Sequence, residues 1–301
     1  MAESANPAPP ADWTVAKVLA WATDDFRRRG LESPRLDAEL LLAMALGVDR
    51  IRLIVDSARV LAPNELAAVR ELIQRRRRRE PIAYIRSERE FYGLAMRVDA
   101  RVLVPRPDTE TLVEVALERT RDAYLDGDLL DLCTGSGCVA IAFSRRRPTW
   151  RVTGIDVSAP AIDVARMNSV RSGTALGVRF VVSDLDRALP DEASFDLVTA
   201  NPPYVPTDEI AVLEADIREY EPRLALDGGK DGLEVIRLVV RAATRRLRPG
   251  GVAALEVGAG QAPTVARFLS DEGFTAVRTH VDYGGHERVV SGESPRTADP
   301  P

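Results

Sequence analysis

From Asp128 onward, short apolar runs alternate with helical stretches, and no other feature of the chain narrows its fold as much. A run such as Leu129–Cys133 is too short for a helix and apolar at nearly every position, as a strand covered on both faces would be. Strands are predicted at Leu129–Cys133, Val152–Asp156, Val178–Val182, Leu197–Ala200, Val252–Val257, Phe274–Val281 and Arg288–Val290. Helices are predicted between them, including Val139–Arg146, Ala159–Ser172, Leu233–Arg246 and Ala262–Asp271. This order predicts an α/β fold, a seven-stranded Rossmann-like sheet with helices on both faces.

The preceding residues follow other periods. From Thr14 to about Glu80 apolar residues recur at helical spacing: Val15, Val18, Leu19 and Ala22, then Leu36, Leu40, Leu41 and Met44, then Leu66, Val69, Leu72 and Ile73. Gly30, Gly47 and Pro63 punctuate them, so a small helical bundle is expected. Around Gly93, Phe91 to Val98 alternate as a β-hairpin does, and Val104-Pro105-Arg106-Pro107 is stiff and extended. Asp108 or Thr109 is expected to cap a helix running to about Thr120. Residues 1–11, rich in Ala and Pro, and Gly292 to Pro301 are expected to be disordered.

Composition removes several function classes. Hydrophobic residues at 45% and charged residues at 29% are ordinary globular values. The longest apolar candidate, Ala38 to Val48, is interrupted by Glu39 and Gly47 and falls short of the roughly 18 residues that span a bilayer. The N-terminus lacks the basic and apolar parts of a signal peptide, so a soluble cytoplasmic protein with no membrane association is expected. Two cysteines, Cys133 and Cys138, exclude a disulfide scaffold; they read as small buried side chains, and no metal site is expected. The net charge of −5 argues against stable binding of long nucleic acid. Lys17 and Lys230 are the only lysines. The run Arg75–Arg79 ends a helix, where it reads as a solvated cationic face, contact with an RNA-bound or acidic partner being the alternative. Glu221 and Arg223 either shape a pocket or form an ion pair, and His280 and His286 sit in no motif.

Two motifs carry chemistry. In Asp131-Leu132-Cys133-Thr134-Gly135-Ser136-Gly137-Cys138-Val139-Ala140 a strand runs into a Gly-rich turn and then a helix. The glycines allow close approach to a ligand and the helix start offers free N–H groups. Asp156 follows Gly137 by nineteen residues, at the end of the next strand, where a carboxylate can accept from both hydroxyls of a ribose. Together these indicate an adenosine-bearing cofactor without separating NAD from S-adenosylmethionine; a tight turn with no ligand is the plain alternative. The second motif, Asn201-Pro202-Pro203-Tyr204, ends the strand Phe195–Ala200. Ligands bind beyond the carboxyl ends of such strands. The prolines remove two donors, the Asn oxygen and a neighbouring carbonyl can hold the two hydrogens of a planar NH2 group, and Tyr204 offers a face for stacking. That suits methylation of an amide or aromatic amine nitrogen, and a dinucleotide oxidoreductase would give this loop no reason.

These residues closely resemble the N5-glutamine methyltransferases that modify peptide chain release factors, over about residues 14–291. The resemblance includes Asp37-Ala38-Glu39-Leu40-Leu41-Leu42, Glu80-Pro81-Ile82-Ala83-Tyr84-Ile85, Glu90-Phe91-Tyr92-Gly93, Val104-Pro105-Arg106-Pro107-Asp108-Thr109-Glu110 and Glu221-Pro222-Arg223-Leu224-Ala225-Leu226. The Asn-Pro-Pro-Tyr loop is shared with adenine-N6 methyltransferases of DNA or RNA, the alternative reading, but the hairpin and Pro-Arg-Pro segment behind a helical domain are not. A non-catalytic scaffold would not need Asn201 and Tyr204.

The resemblance implies S-adenosylmethionine as methyl donor and, as acceptor, the glutamine of the Gly-Gly-Gln motif in release factors. It implies a substrate-recognition domain over 12–87, a hairpin and Pro-rich linker over 88–107, and a methyltransferase domain over 108–291, in a monomer. The cofactor would lie on Cys133, Thr134, Gly135, Ser136 and Gly137, with Asp156 on the ribose, Asp184 at the adenine amino group, Leu185 against the ring and Asn201 near the methyl. Asn201, Pro202, Pro203 and Tyr204 would hold the glutamine, with Asn201, Pro202 and Tyr204 as the catalytic set. Five positions depart from the family's pattern: Cys133 where glycine is common, Leu185 where an aromatic is frequent, Asp108 where glutamate is usual, and Arg86-Ser87 in place of an apolar-Gly pair.

Overall fold

The structure, a computed structural model, describes residues 13–121 and 126–295. The chain divides into two compact units between Arg86 and Ser87. Residues 1–11 lie outside the described residues.

The first unit is five helices: α1 (Val15–Arg28), α2 (Pro34–Leu46), α3 (Arg50–Val55), α4 (Pro63–Arg77) and α5 (Ile82–Arg86). Thr14 caps α1 by accepting from the Lys17 amide, and Asp49 caps α3 by accepting from the Arg52 amide at 2.7 Å. Proline stands in the first turn of α2 and of α4, where its missing N–H costs nothing. The core gathers Val15, Leu19, Phe26, Leu41, Leu42, Val69 and Ile73. Leu36 and Met44 are instead 40% and 45% exposed, while Ala38, Leu41 and Leu42 face inward. On a helix as uniformly apolar as α2, spacing alone does not say which stripe is buried. The six-residue α3 is too short to show a period and went unpredicted.

The arginine run is not a solvated face. Arg76 Nε donates to Asp37 Oδ2 at 2.7 Å with both side chains about 5% exposed. Arg77 grips both oxygens of Asp25 at 2.8 Å and lies 5.1 Å over the Trp21 ring, and Arg75 binds Glu80 through two nitrogens. The cations therefore cross-link the bundle. Their partners stand as far as 52 residues away in sequence, beyond the reach of any local pattern.

The second unit opens with a hairpin, β1 (Glu88–Phe91) and β2 (Leu94–Arg97), then a 3-10 turn at Pro107–Thr109 and α6 (Glu110–Arg119). Thr109 has helical backbone angles and makes no side-chain cap, so the expected cap is absent and its hydroxyl is available elsewhere. There follow β3 (Asp128–Leu132), α7 (Cys138–Arg146), β4 (Arg151–Asp156), α8 (Ala159–Arg171), β5 (Val178–Val182), β6 (Phe195–Ala200), α9 (Ala215–Tyr220), α10 (Glu234–Arg246), β7 (Leu247–Glu256), α11 (Ala262–Asp271), β8 (Thr275–Val281) and β9 (Glu287–Glu293). Gly292 and Glu293, expected in a disordered tail, complete β9; residues 296–301 lie outside the described residues.

The seven strands lie in the order β5-β4-β3-β6-β7-β9-β8. The first five are parallel, and β9 inserts antiparallel between β7 and β8. Order reverses between β3 and β6, which opens a crevice beyond their carboxyl ends. One face of the sheet packs on α6, α7 and α8 through Leu112, Phe143 and Ile162, the other on α10 and α11 through Ile236, Val239 and Val265. No helix among the described residues is long and apolar enough to cross a membrane.

Arg76→Met would take from the buried Asp37 carboxylate the cation it binds and lower the stability of the first unit by about 3–5 kcal/mol. Urea unfolding of the full chain followed by Trp21 and Trp13 fluorescence measures it, and Arg76→Met/Asp37→Leu should regain most of the loss.

Candidate active site

At the carboxyl edge of β3, β4 and β6 lies a cavity of about 400 Å³, a size that takes a small-molecule ligand. Its floor is the Gly-rich turn. The Thr134 amide donates to the Ile155 carbonyl at 2.9 Å and the Gly137 amide to the Thr134 carbonyl at 2.8 Å. Asp156 holds the turn from the side: Oδ2 accepts from the Gly135 amide and Oδ1 from the Ser158 amide, both at 2.9 Å. Gly135 has a φ of +53°, and a Cβ built there would meet nothing within 4 Å, so the backbone stands open to the cavity. Burial raises the pKa of Asp156 against the pull of those amides.

A buried carboxylate lies beneath the turn. Asp131 accepts from Thr134 Oγ1 at 2.5 Å and from Thr199 Oγ1 at 2.7 Å, and burial pushes its pKa up to about 6. It joins the Gly-rich turn to β6 inside the sheet. From the opposite side, fully buried Asn168 of α8 donates to the Ser136 carbonyl at 2.9 Å while exchanging two hydrogen bonds with Arg97 of β2.

Asn201 leaves β6 beside the end of β7, because the parallel register places Ala200 against Leu255. Its Nδ2 donates to Thr109 Oγ1 at 3.2 Å. The loop beyond it is clamped. The Val205 amide donates to the Leu226 carbonyl at 3.0 Å, the Gly228 amide to the Val205 carbonyl at 2.9 Å, and Gln261 Nε2 to the Tyr204 carbonyl at 3.0 Å. A Cβ on Gly228 would stand 2.8 Å from the Pro203 carbonyl oxygen, so only glycine lets the two loops approach so closely.

Cys133, Thr134, Gly135, Ser136, Asp156, Asp184, Leu185, Asn201 and Pro203 line the cavity. Gly137, Pro202 and Tyr204 are not in its lining. Gly137 ends the turn at the head of α7 and Pro202 is buried. The Tyr204 ring packs into the core under α10 and α11, its hydroxyl 3.5 Å from Glu256 Oε1. Asp184 pairs with Arg187 at 2.7 Å at the rim. Glu221 and Arg223 do not pair with each other: buried Glu221 binds Arg106 at 2.6 Å, and Arg223 binds Asp227 at 3.2 Å. Arg106 and Thr109 carried a signal in sequence only through the Pro-Arg-Pro resemblance, Asp131 only as the first residue of the Gly-rich motif, and Glu256 only as part of a predicted strand. Glu256 ends β7 with 1% exposure, and burial pushes its pKa up to about 7. Burial raises both thiol pKa values, so Cys133 and Cys138 stay protonated.

Residues 17–86 match the PrmC N-terminal domain family and residues 108–230 the methyltransferase small domain family. A release factor glutamine methyltransferase of Geobacter sulfurreducens is 44% identical over 283 residues, covering 94% of this chain and 98% of that protein. The chain belongs to the release factor glutamine methyltransferase family. A second relative of the same name, from Rhodopirellula baltica, is 39% identical over 297 residues, 97% of this chain and 99% of the other. A methyltransferase structure from Pyrococcus furiosus shares the fold, with a TM-score of 0.50 at 20% identity over 68% of this chain and 91% of that one.

Three of the positions where the sequence departs from the pattern it resembles sit at unusual backbone. Ser87 has a φ of +56°, Cys133 a φ of +57° and Leu185 a φ of +48°, a region costly for any side chain. Glycine at 133 meets the turn's geometry without strain. Cys133→Gly should hold or raise stability by up to about 1 kcal/mol and Cys133→Val lower it by about 1–2 kcal/mol, as denaturant midpoints will show.

Glu256 predicts a pH effect. Its folded pKa lies above that of an unfolded glutamate, so the fold retains the proton more tightly and loses stability as pH rises through about 7. Glu256→Gln removes the buried charge. Its melting temperature should exceed that of the native chain at pH 8 and approach it at pH 5.

Proposed function

We propose that this protein transfers a methyl group from S-adenosylmethionine to the side-chain amide nitrogen of the glutamine in the Gly-Gly-Gln motif of peptide chain release factors. The observation that carries the reading is the meeting of an open glycine turn and the Asn201 carboxamide in one cavity, in a chain similar over nearly its whole length to release factor glutamine methyltransferases.

The residues present fit the cofactor. Gly135 leaves room for it against the backbone, Asp156 offers a carboxylate at the end of β4, and Asp184 and Leu185 close the far rim. Cys133 to Gly137 would cradle the amino-acid end, Asp156 would accept from the ribose hydroxyls, and Asp184 would meet the adenine amino group with Leu185 against the ring. When bound, the cofactor supplies an electrophilic methyl on a sulfonium.

An amide nitrogen is a weak nucleophile because its lone pair is shared with the carbonyl. The task of the chain is alignment and stabilisation of charge that develops on that nitrogen. Asn201 Oδ1, on the cavity wall, would accept one of its hydrogens and the carbonyl of Pro202, next in the chain but outside the lining, would accept the other, which turns the lone pair toward the methyl group. Pro203 walls the site and Tyr204 supports the loop from behind. As the N–C bond forms, the nitrogen sheds one proton to water, so no general base is required. The bridge between Val205 and Asp227 ties this loop to the segment that brings Leu224, Ala225 and Asp227 to the cavity.

Incubation of the protein with labelled S-adenosylmethionine and purified release factor should label the factor, and a Gln-to-Ala change in its Gly-Gly-Gln motif should abolish the label. Labelling of neither, with cofactor binding intact, would overturn the reading in favour of nucleic acid or another Gln-bearing protein. Asn201→Ala should slow turnover by about 10²–10³-fold while cofactor affinity measured by calorimetry stays nearly constant; near-native turnover would sink the role given to Asn201.

A further inference from the structure

A carboxamide is nearly symmetric in shape, and its two ends do opposite things: Oδ1 accepts, Nδ2 donates. An Asn201 turned the wrong way would present donors to an acceptor group that itself carries two hydrogens. The geometry points to Thr109, backed by Glu256, as the positioning pair that fixes the polarity of Asn201 and turns its Oδ1 toward the acceptor amide. This inference rests on the functional reading above.

Three placements carry it. Thr109 is 1% exposed yet lines the cavity, and as it caps no helix its hydroxyl serves none of the backbone of α6. That hydroxyl accepts from Asn201 Nδ2 at 3.2 Å. The Thr109 side chain is also within hydrogen-bonding reach of the carboxyl of Glu256, which is likewise 1% exposed and whose Oε2 has no hydrogen-bond partner among the described residues.

An ionised carboxylate only accepts. A hydroxyl whose proton is directed to a carboxylate has only its lone pairs left for a second partner, and that partner must donate. The direction therefore runs from Asn201 Nδ2 to Thr109 to Glu256, and the reverse orientation of the carboxamide would oppose two acceptors. The other charged or titratable groups facing Glu256 are Tyr204 from the loop after β6, Asp108 from the 3-10 turn, Arg288 from β9 and Cys138 from α7. Arg288 is the one cation among them, and it favours the ionised form. Burying a carboxylate with one oxygen unpartnered costs stability. A direction imposed on a neighbouring amide gives this one a role that packing does not.

The test uses the full chain at pH 8, above the pKa of Glu256, with labelled S-adenosylmethionine and purified release factor. Thr109→Val keeps the shape and removes the hydroxyl; Thr109→Ser restores it. Thr109→Val should lower kcat about 10- to 100-fold, with cofactor affinity by calorimetry unchanged within about twofold and a melting temperature near that of the native chain. Thr109→Ser should recover roughly a third or more of the native kcat. Glu256→Gln, whose amide can donate as well as accept, should lower kcat about 5- to 20-fold and guards against a Thr109→Val that fails to fold. Thr109→Val and Glu256→Gln both within twofold of native kcat would overturn the inference, as would Thr109→Ser as slow as Thr109→Val. A native chain that binds cofactor but never labels release factor removes the functional reading itself, and this inference with it.

Discussion

Everything in the catalytic unit depends on one register. Leu132 lies beside both Ile155 and Ala200, and Ala200 lies beside Leu255. Parallel strands in step end together, so the turns after β3, β4 and β6 emerge at one edge, where the reversal of strand order leaves space between them. The Gly-rich turn, Asp156 and Asn201 come from stretches of chain far apart in sequence, and the hydrogen-bond ladder alone places them around one cavity. A one-residue slip of β6 would turn Thr199 from Asp131 and break the link beneath the Gly-rich turn.

The site is expensive in stability. Asp131 and Glu256 are buried carboxyls that make no ion pair among the described residues and whose pKa values burial raises, and Cys133 and Leu185 hold left-handed backbone. Each departs from what a chain shaped for stability alone would place there. They gather along the cavity and its floor, whereas buried carboxylates elsewhere, such as Asp186 with Arg245 and Arg246 and Asp37 with Arg76, have cations bound to them. Unmatched burial thus marks the site as clearly as its shape does.

The fold was legible wherever the controlling interaction is local. The strands from β3 to β7 appear as apolar runs, the glycine turn as residues between a strand and a helix, and Pro63 and Gly47 as helix punctuation. What stayed hidden depends on partners distant in sequence. Nothing in Arg75 to Arg79 says that Asp37 and Asp25 will meet them, and nothing near Glu221 names Arg106. Thr109 reads as a helix cap because Ser, Thr and Asp usually are; only the strand register shows its hydroxyl turned to Asn201. The antiparallel entry of β9 between β7 and β8 was hidden for the same reason, since short apolar runs carry no direction.

Asn168 has a practical consequence for dissecting the protein. Its carboxamide holds the hairpin strand β2 with two hydrogen bonds and the Gly-rich turn with a third. The hairpin is therefore a buttress of the catalytic unit and not a spacer ahead of it. A fragment trimmed to begin at residue 108, where the methyltransferase family match starts, would leave Asn168 bonded to the turn on one side and to nothing of β2 on the other. The smallest piece that keeps the turn braced begins upstream of Glu88, at the division between the two units.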